Sequence, residues 1–155
     1  MTELKSKVSL LNFGPGLPAV RIGERINPTG KPKMQESIKN GDLSFLGELA
    51  REQEAAGANA LGVNIGMHGI DEKSLLVRAV QELEEVTSLP LYIDSSHPEA
   101  LIAARGAYSH KPLVGSCTGE DGSYKPLMAA FLDQPAVLVV MLNDEKGVST
   151  KAEDR

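Results

Sequence analysis

The chain has 155 residues, of which 41% are hydrophobic and 24% charged, and its formal net charge is −5. This length suits one domain with a substantial core and is short for two. The negative charge and an aromatic content of 4% argue against a nucleic-acid partner, which needs a basic surface or stacking rings.

The single cysteine and the hydropathy pattern indicate where the protein works. Cys117 has no second cysteine with which to form a disulfide within the chain, which is typical of a reduced compartment. No apolar run approaches the roughly 20 residues that cross a bilayer. We therefore expect a cytoplasmic protein that has no membrane partner.

The chain divides at about residue 20. Residues 1–19 are expected to form an irregular leader, because two glycines and two prolines lie within residues 12–18. Residues 20–155 are expected to form one domain, which begins with a strand at about residues 20–24. A loop is predicted over residues 27–32, which contain two prolines and Gly30.

Helical and apolar segments then alternate to the end of the chain. Apolar spacing and caps predict helices over about residues 42–56 and 71–87, the first capped by Asp42 or Ser44 and the second by Asp71. Ser96 and Glu99 form a capping box that predicts a third helix to about residue 107. A shorter helix is expected near residues 125–132. The strands between them are predicted at about residues 60–65, 91–94, 113–116 and 136–142.

Each of the five predicted strands ends abruptly in polar residues. Strands that alternate with helices indicate a parallel sheet, and its strands carry their carboxyl ends to one rim, where such folds bind ligands. The polar residues expected at this rim are Asn27, Asn64, Asp94, Ser116 and Asn143.

The last residues have the pattern of a helix start. Thr150 and Glu153 have the spacing of a capping box, and Ser149 is a second possible cap. We interpret the chain as a truncated series of about five βα units.

Several motifs in register resemble one protein family. They are residues 22–30 (IGERINPTG), 57–66 (GANALGVNIG), 92–96 (YIDSS), 111–116 (KPLVGS) and 139–147 (VVMLNDEKG). Over about residues 22–155 the chain resembles the pterin-binding methyltransferases. These are the methyltetrahydrofolate:corrinoid methyltransferases and the folate-binding domain of cobalamin-dependent methionine synthase.

The resemblance implies the N-terminal part of a (β/α)8 TIM barrel of the pterin-binding, dihydropteroate synthase-like type. It implies methyl transfer from methyltetrahydrofolate to a corrinoid, or cobalamin, that a partner protein carries. It implies no metal held by this chain, and the scattered His68, His97 and His110 lack metal-ligand spacing. Because part of the family's site lies on later strands, we expect impaired activity, and no catalytic residue is identified.

The resemblance also assigns candidate pterin-binding residues. Asp94 matches the family aspartate that accepts two hydrogen bonds from the pterin ring, although an aspartate here could also cap the next helix. Asn64 matches an asparagine that faces the pterin, although it could equally be a turn residue before Gly66. Asn27, Ser116 and Asn143 are expected at the same mouth.

Two positions depart from the family pattern. Gly62 stands where family members commonly have aspartate, and Gly115 stands where they usually have an asparagine that contacts the pterin. A missing buried hydrogen bond typically costs about 1–3 kcal/mol. We therefore expect weaker pterin binding than in the family.

Two alternative functions stay open. The chain could be a non-catalytic half-barrel that self-associates to cover its sheet edges, and we expect a homo-oligomer on this ground. It could also be a dihydropteroate synthase-like enzyme, although the motifs that follow the first two strands of that enzyme do not occur here.

Overall fold

A computed structural model describes residues 1–148 and 150–154 of the chain. It is a mixed α/β structure built on a parallel sheet of five strands, with helices packed against it. The strands are β1 (Thr2–Lys5), β2 (Leu10–Phe13), β3 (Ile22–Ile26), β4 (Ala60–Val63), β5 (Leu91–Asp94), β6 (Leu113–Thr118), β7 (Val137–Met141), β8 (Asn143–Asp144) and β9 (Gly147–Val148). The α-helices are α1 (Pro32–Lys39), α2 (Leu46–Ala55), α3 (Glu72–Val86), α4 (Pro98–Ala107) and α5 (Asp121–Ala130).

The main sheet has the strand order β3-β4-β5-β6-β7, and every neighbouring pair is parallel. Each new strand is added on the same side of the previous one, so right-handed crossovers place the connecting helices on one face. Consistent with this, α2 contacts α3, α3 contacts α4 and α4 contacts α5. The arrangement is compatible with a partial α/β barrel.

The core lies between the sheet and these helices. Strand residues such as Leu61 and Ile93 are fully buried, and they belong to one cluster with Leu46, Leu83 and Leu101 from the helices. Among the described helices, none is long and apolar enough to cross a membrane.

The five predicted strands and the helix capped by Asp71 are confirmed. The Oδ1 atom of Asp71 accepts a hydrogen bond from the backbone N–H of Ser74 at 3.2 Å and caps α3. The predicted cap at Ser96 is wrong, because α4 begins after His97, where no side chain caps the helix. The hydroxyl oxygen of Ser95 instead accepts from the backbone N–H of His97 at 3.0 Å.

Helix α2 begins later than expected, and one further helix was not predicted. Asp42 does not cap α2, whose N-cap is Phe45, because its carboxylate accepts from the backbone N–H of Ser44 in a turn before the helix. Helix α1 was not predicted at all. It is short and starts at Pro32, a residue that fits a first helical turn.

The leader contains regular structure that the sequence pattern did not predict. β1 and β2 form an antiparallel hairpin, in which Leu4 is only 1% exposed. The hairpin lies at the amino end of the sheet, where the backbone N–H of Lys5 donates to the carbonyl of Lys111 at 2.8 Å. The Tyr108 hydroxyl donates to the carbonyl of Lys5 at 3.0 Å. These contacts join residues far apart in sequence, which is why local pattern alone pointed to an irregular segment.

The end of the chain forms a small hairpin. β8 and β9 pair antiparallel, and the backbone N–H of Lys146 donates to the Asp144 carboxylate in the turn between them. Residues Ala152–Asp154 form a single 3-10 turn where a helix start was expected. The alternative cap Ser149 and the last residue, Arg155, lie outside the described residues.

Candidate functional site

A cavity of about 620 Å³ opens at the carboxyl ends of β4, β5 and β6. Because the strands are parallel and neighbouring, the segments that follow them meet at one rim. The loop after β4 supplies the largest share of the wall, and the end of β5 with the turn after it supplies a second share. Single residues come from the loop after β3, the start of α3 and β6. The lining residues are Thr29, Asn64, Gly66, Met67, His68, Gly69, Ile70, Glu72, Asp94, Ser95, Ser96, His97 and Ser116.

Asp94 and Asn64 form a hydrogen-bonded pair in this cavity. The side-chain Nδ2 of Asn64 donates to Oδ2 of Asp94 at 3.0 Å, and Oδ1 of Asn64 accepts from the backbone N–H of Gly66 at 2.8 Å. The backbone contact sets which way the amide points, so the amide hydrogen is directed at the carboxylate. Asn64 therefore makes the predicted turn and also orients Asp94.

Asp94 does not cap the helix that follows it. Helix α4 begins after His97 without a side-chain cap, so the capping alternative for Asp94 has no geometric support. The carboxylate lines the cavity instead.

Tyr92 lies on the same face of β5 as Asp94, two residues earlier, and was missed by the sequence analysis. The pKa of Tyr92 is raised to about 12, chiefly by burial of the phenol. The negative charges of Asp94 and Glu24 and a hydrogen bond with Asp94 contribute to the same shift. The phenol is therefore protonated at neutral pH and can donate to the carboxylate. Because alternate residues of a strand lie on the same face, the position of Tyr92 two residues before Asp94 could have predicted its place near the site.

Glu72 and Ser95 form a second polar contact at the rim. The hydroxyl of Ser95 donates to Oε1 of Glu72, the first residue of α3. The Nε2 atom of His97 lies 3.8 Å from Oε2 of the same carboxylate. Glu72 was not predicted as a site residue, and His97 was considered only as a metal ligand, for which its spacing is unsuitable. The His97 side chain is 57% exposed but lines the cavity.

The other predicted site residues have different positions. Ser116 lines the cavity. Asn27 lines a smaller crevice beside it, together with Asn64 and Asp94, and its Oδ1 accepts from the backbone N–H of Thr29 at 3.0 Å. Asn143 is not among the cavity's lining residues, and its backbone carbonyl accepts from the N–H of Gly119 at 2.7 Å.

The glycines at the two departures from the family pattern lie where neighbouring strands approach closely. A Cβ atom added at Gly115 would lie 2.7 Å from Cβ of Val139 on β7. The pairing of β6 with β7 shifts register between Val114 and Cys117, which leaves one extra residue on β6. At Gly62, an added Cβ would lie 3.2 Å from the carbonyl oxygen of Gly23. A larger side chain at residue 115 would therefore require β7 to move.

The charge of the cavity favours a ligand that donates hydrogen bonds. The described residues that line it include the carboxylates of Asp94 and Glu72, and none of them is lysine or arginine. In the part of the chain that the structure describes, no group of three or more His, Cys, Asp or Glu side chains could hold a metal ion. A neutral heterocyclic ring with N–H groups suits this lining better than an anionic group does.

No protein-family model matches the chain. What the cavity binds is therefore inferred from the side chains that line it and from the motifs at its rim.

Proposed function

We propose that the chain binds a reduced pterin, methyltetrahydrofolate, at this cavity and serves methyl transfer to a corrinoid carried by a partner protein. The observation that supports the proposal best is the Asp94 carboxylate at a strand end, oriented by Asn64 within the cavity. The edge of a pterin ring presents an N–H and an adjacent amino group. One carboxylate can accept both, and such charge-assisted pairs are strong and directional.

The size and lining of the cavity agree with this ligand. A volume of about 620 Å³ falls within the range of small-molecule sites. Met67 and Ile70 supply apolar surface beside the polar residues, as a flat heterocycle requires. The cavity opens at the carboxyl end of the sheet, so that a second protein could approach a ligand bound there.

The chemistry places one demand on the residues of this chain. A methyl group leaves N5 of methyltetrahydrofolate easily only if that nitrogen gains a proton or a hydrogen bond, because its anion is a poor leaving group. Among the lining residues, His68 and His97 carry imidazole rings, whose N–H groups can donate such a hydrogen bond. The partner's corrinoid would supply the cobalt nucleophile that accepts the methyl group.

Calorimetric titration with methyltetrahydrofolate tests the proposal. We expect the wild-type chain to bind, and we expect Asp94→Asn to weaken binding by about tenfold or more, because a charge-assisted pair is lost. Asp133→Asn is a matched control, since Asp133 is exposed and outside the cavity lining. Absence of binding by the wild type, or equal binding by Asp94→Asn, would contradict the proposal.

A second candidate function is a half-barrel that associates with another copy of itself. Its supporting observation is that, among the described strands, β3 and β7 each pair on one side only, and that Val140, Met141 and Leu142 are exposed at the β7 edge. Free strand edges and apolar surface favour association. Analytical ultracentrifugation should show a dimer or larger species. A monomer with a cooperative thermal transition would count against self-association.

A further inference from the structure

Ser95 is the first residue of the turn after Asp94, and it makes hydrogen bonds to two other elements, β6 and α3. The side chain and backbone of Ser95 are 2% exposed, and its N–H donates to the carbonyl of Gly115 on β6 at 2.9 Å. Its hydroxyl donates to Glu72 at the start of α3 and accepts from the N–H of His97. The residue next to Asp94 is therefore fixed between a neighbouring strand and a neighbouring helix.

Glu72 is well suited to hold this turn. Its side chain is only 13% exposed, so its carboxylate needs hydrogen bonds to offset the cost of burial. It lies in the first turn of α3, where the helix dipole stabilises a negative charge. The Ser95 hydroxyl therefore supplies a hydrogen bond that the Glu72 carboxylate needs, and Glu72 in turn orients the Ser95 hydroxyl.

Glu72 also lies close to the segment that orients Asn64. A Cβ atom added at Gly66 would lie 3.2 Å from Oε2 of Glu72 and 3.2 Å from Oδ1 of Asn64. Gly66 thus lies close to both side chains, and its N–H is the group that orients the Asn64 amide. Glu72 is thus joined by a hydrogen bond to Ser95, the residue after Asp94. It also lies beside Gly66, whose N–H orients the Asn64 amide that donates to Asp94.

We propose that Glu72 is a positioning residue for Asp94, which it holds in place through Ser95 and through the Gly66–Asn64 contact. That this arrangement serves pterin recognition rests on the proposed function above. The positioning itself is a property of the free protein and can be measured without a ligand.

The direct test is NMR of the Asn64 side-chain amide in the free protein. In the wild type, the hydrogen bond to Asp94 should slow exchange of one amide proton with solvent. Glu72→Ala and Ser95→Ala should each abolish this protection, whereas Glu72→Gln should retain it, because glutamine still offers an oxygen to Ser95. Glu85→Ala is the matched control, since Glu85 lies on the same helix with a side chain that is 74% exposed.

Ligand binding supplies the second measurement. In the wild-type background, Glu72→Ala should weaken methyltetrahydrofolate binding by about tenfold, and in the Asp94→Asn background it should cause no further loss. A general effect on folding would instead lower the affinity equally in both backgrounds. Two variants at separate residues, Glu72→Ala and Ser95→Ala, allow the test to proceed if one of them does not fold.

The outcomes separate the two proposals. Unchanged Asn64 protection in Glu72→Ala or Ser95→Ala would overturn the positioning role, and so would loss of protection in Glu72→Gln. If the Asn64 effect is observed but the wild type does not bind methyltetrahydrofolate, the positioning role stands and the proposed function fails.

Discussion

At the scale of single residues, the cavity is organised around one carboxylate with several supports. Asn64 and Tyr92 contact Asp94 directly, and Ser95 fixes the turn that follows it. Preorganised groups of this kind recognise a ligand without the cost of ordering side chains on binding. A polar residue at a strand end was a sound sequence signal for Asp94, whereas its supports are visible only when neighbouring strands are placed side by side.

The pKa of Tyr92 gives a pH-dependent prediction. The pKa is raised from 10.0 to about 12 in the folded chain, so the folded state retains a proton that the unfolded state loses between these pH values. The free energy of unfolding should therefore fall as the pH rises from 10 to 12. Denaturant titrations across this range should show a smaller fall for Tyr92→Phe than for the wild type. An identical fall in both proteins would contradict the assignment.

Gly115 gives a prediction about packing. An added methyl group would meet Val139 at 2.7 Å, so Gly115→Ala should destabilise the fold by about 1–3 kcal/mol. Gly122→Ala is the matched control, because nothing lies within 4 Å of its added Cβ and alanine favours the helix that contains it. Thermal unfolding measures both variants. Equal stability of the two would show that β7 does not confine residue 115.

At the scale of elements, the segments that were predicted correctly depend mainly on neighbouring residues, and those that were missed depend on residues distant in the sequence. Strand β5 was predicted with its observed bounds because a short apolar run ends in Asp94 between two helices. The hairpin of β1 and β2 was missed because its partners, such as Lys111, are distant in sequence. The predicted cap at Ser96 failed because a local motif competed with the tertiary contact of Ser95 with Glu72.

The hairpin gives a prediction at this scale. Leu4 is 1% exposed, so Leu4→Ala should lower the free energy of unfolding by about 2–5 kcal/mol if β1 packs as part of the domain. Leu10→Ala on the paired strand is the control, since Leu10 is 54% exposed and should cost far less. Chemical denaturation compares them. Similar small losses would mean that residues 2–13 contribute little to the core.

At the scale of the whole molecule, the parallel arrangement of the strands could be predicted from the sequence, whereas the residues that line the cavity could be predicted only in part. Alternating strands and helices predict neighbouring parallel strands whose carboxyl ends meet at one rim, which is the observed arrangement. Asp94, Asn64 and Ser116 line the cavity, whereas Asn143 is not among its lining residues. Glu72 and His97 enter the cavity from a helix start and a turn, positions whose direction depends on packing that no local motif encodes.

The central claim is that Asp94 binds the donor edge of a pterin, and a crystal structure of the chain with tetrahydrofolate tests it most directly. We predict the ring in the cavity after β4 and β5, with its N3–H and 2-amino groups roughly 2.7–2.9 Å from the two carboxylate oxygens. A ring bound elsewhere, or held in the cavity with that edge turned away from Asp94, would contradict the account.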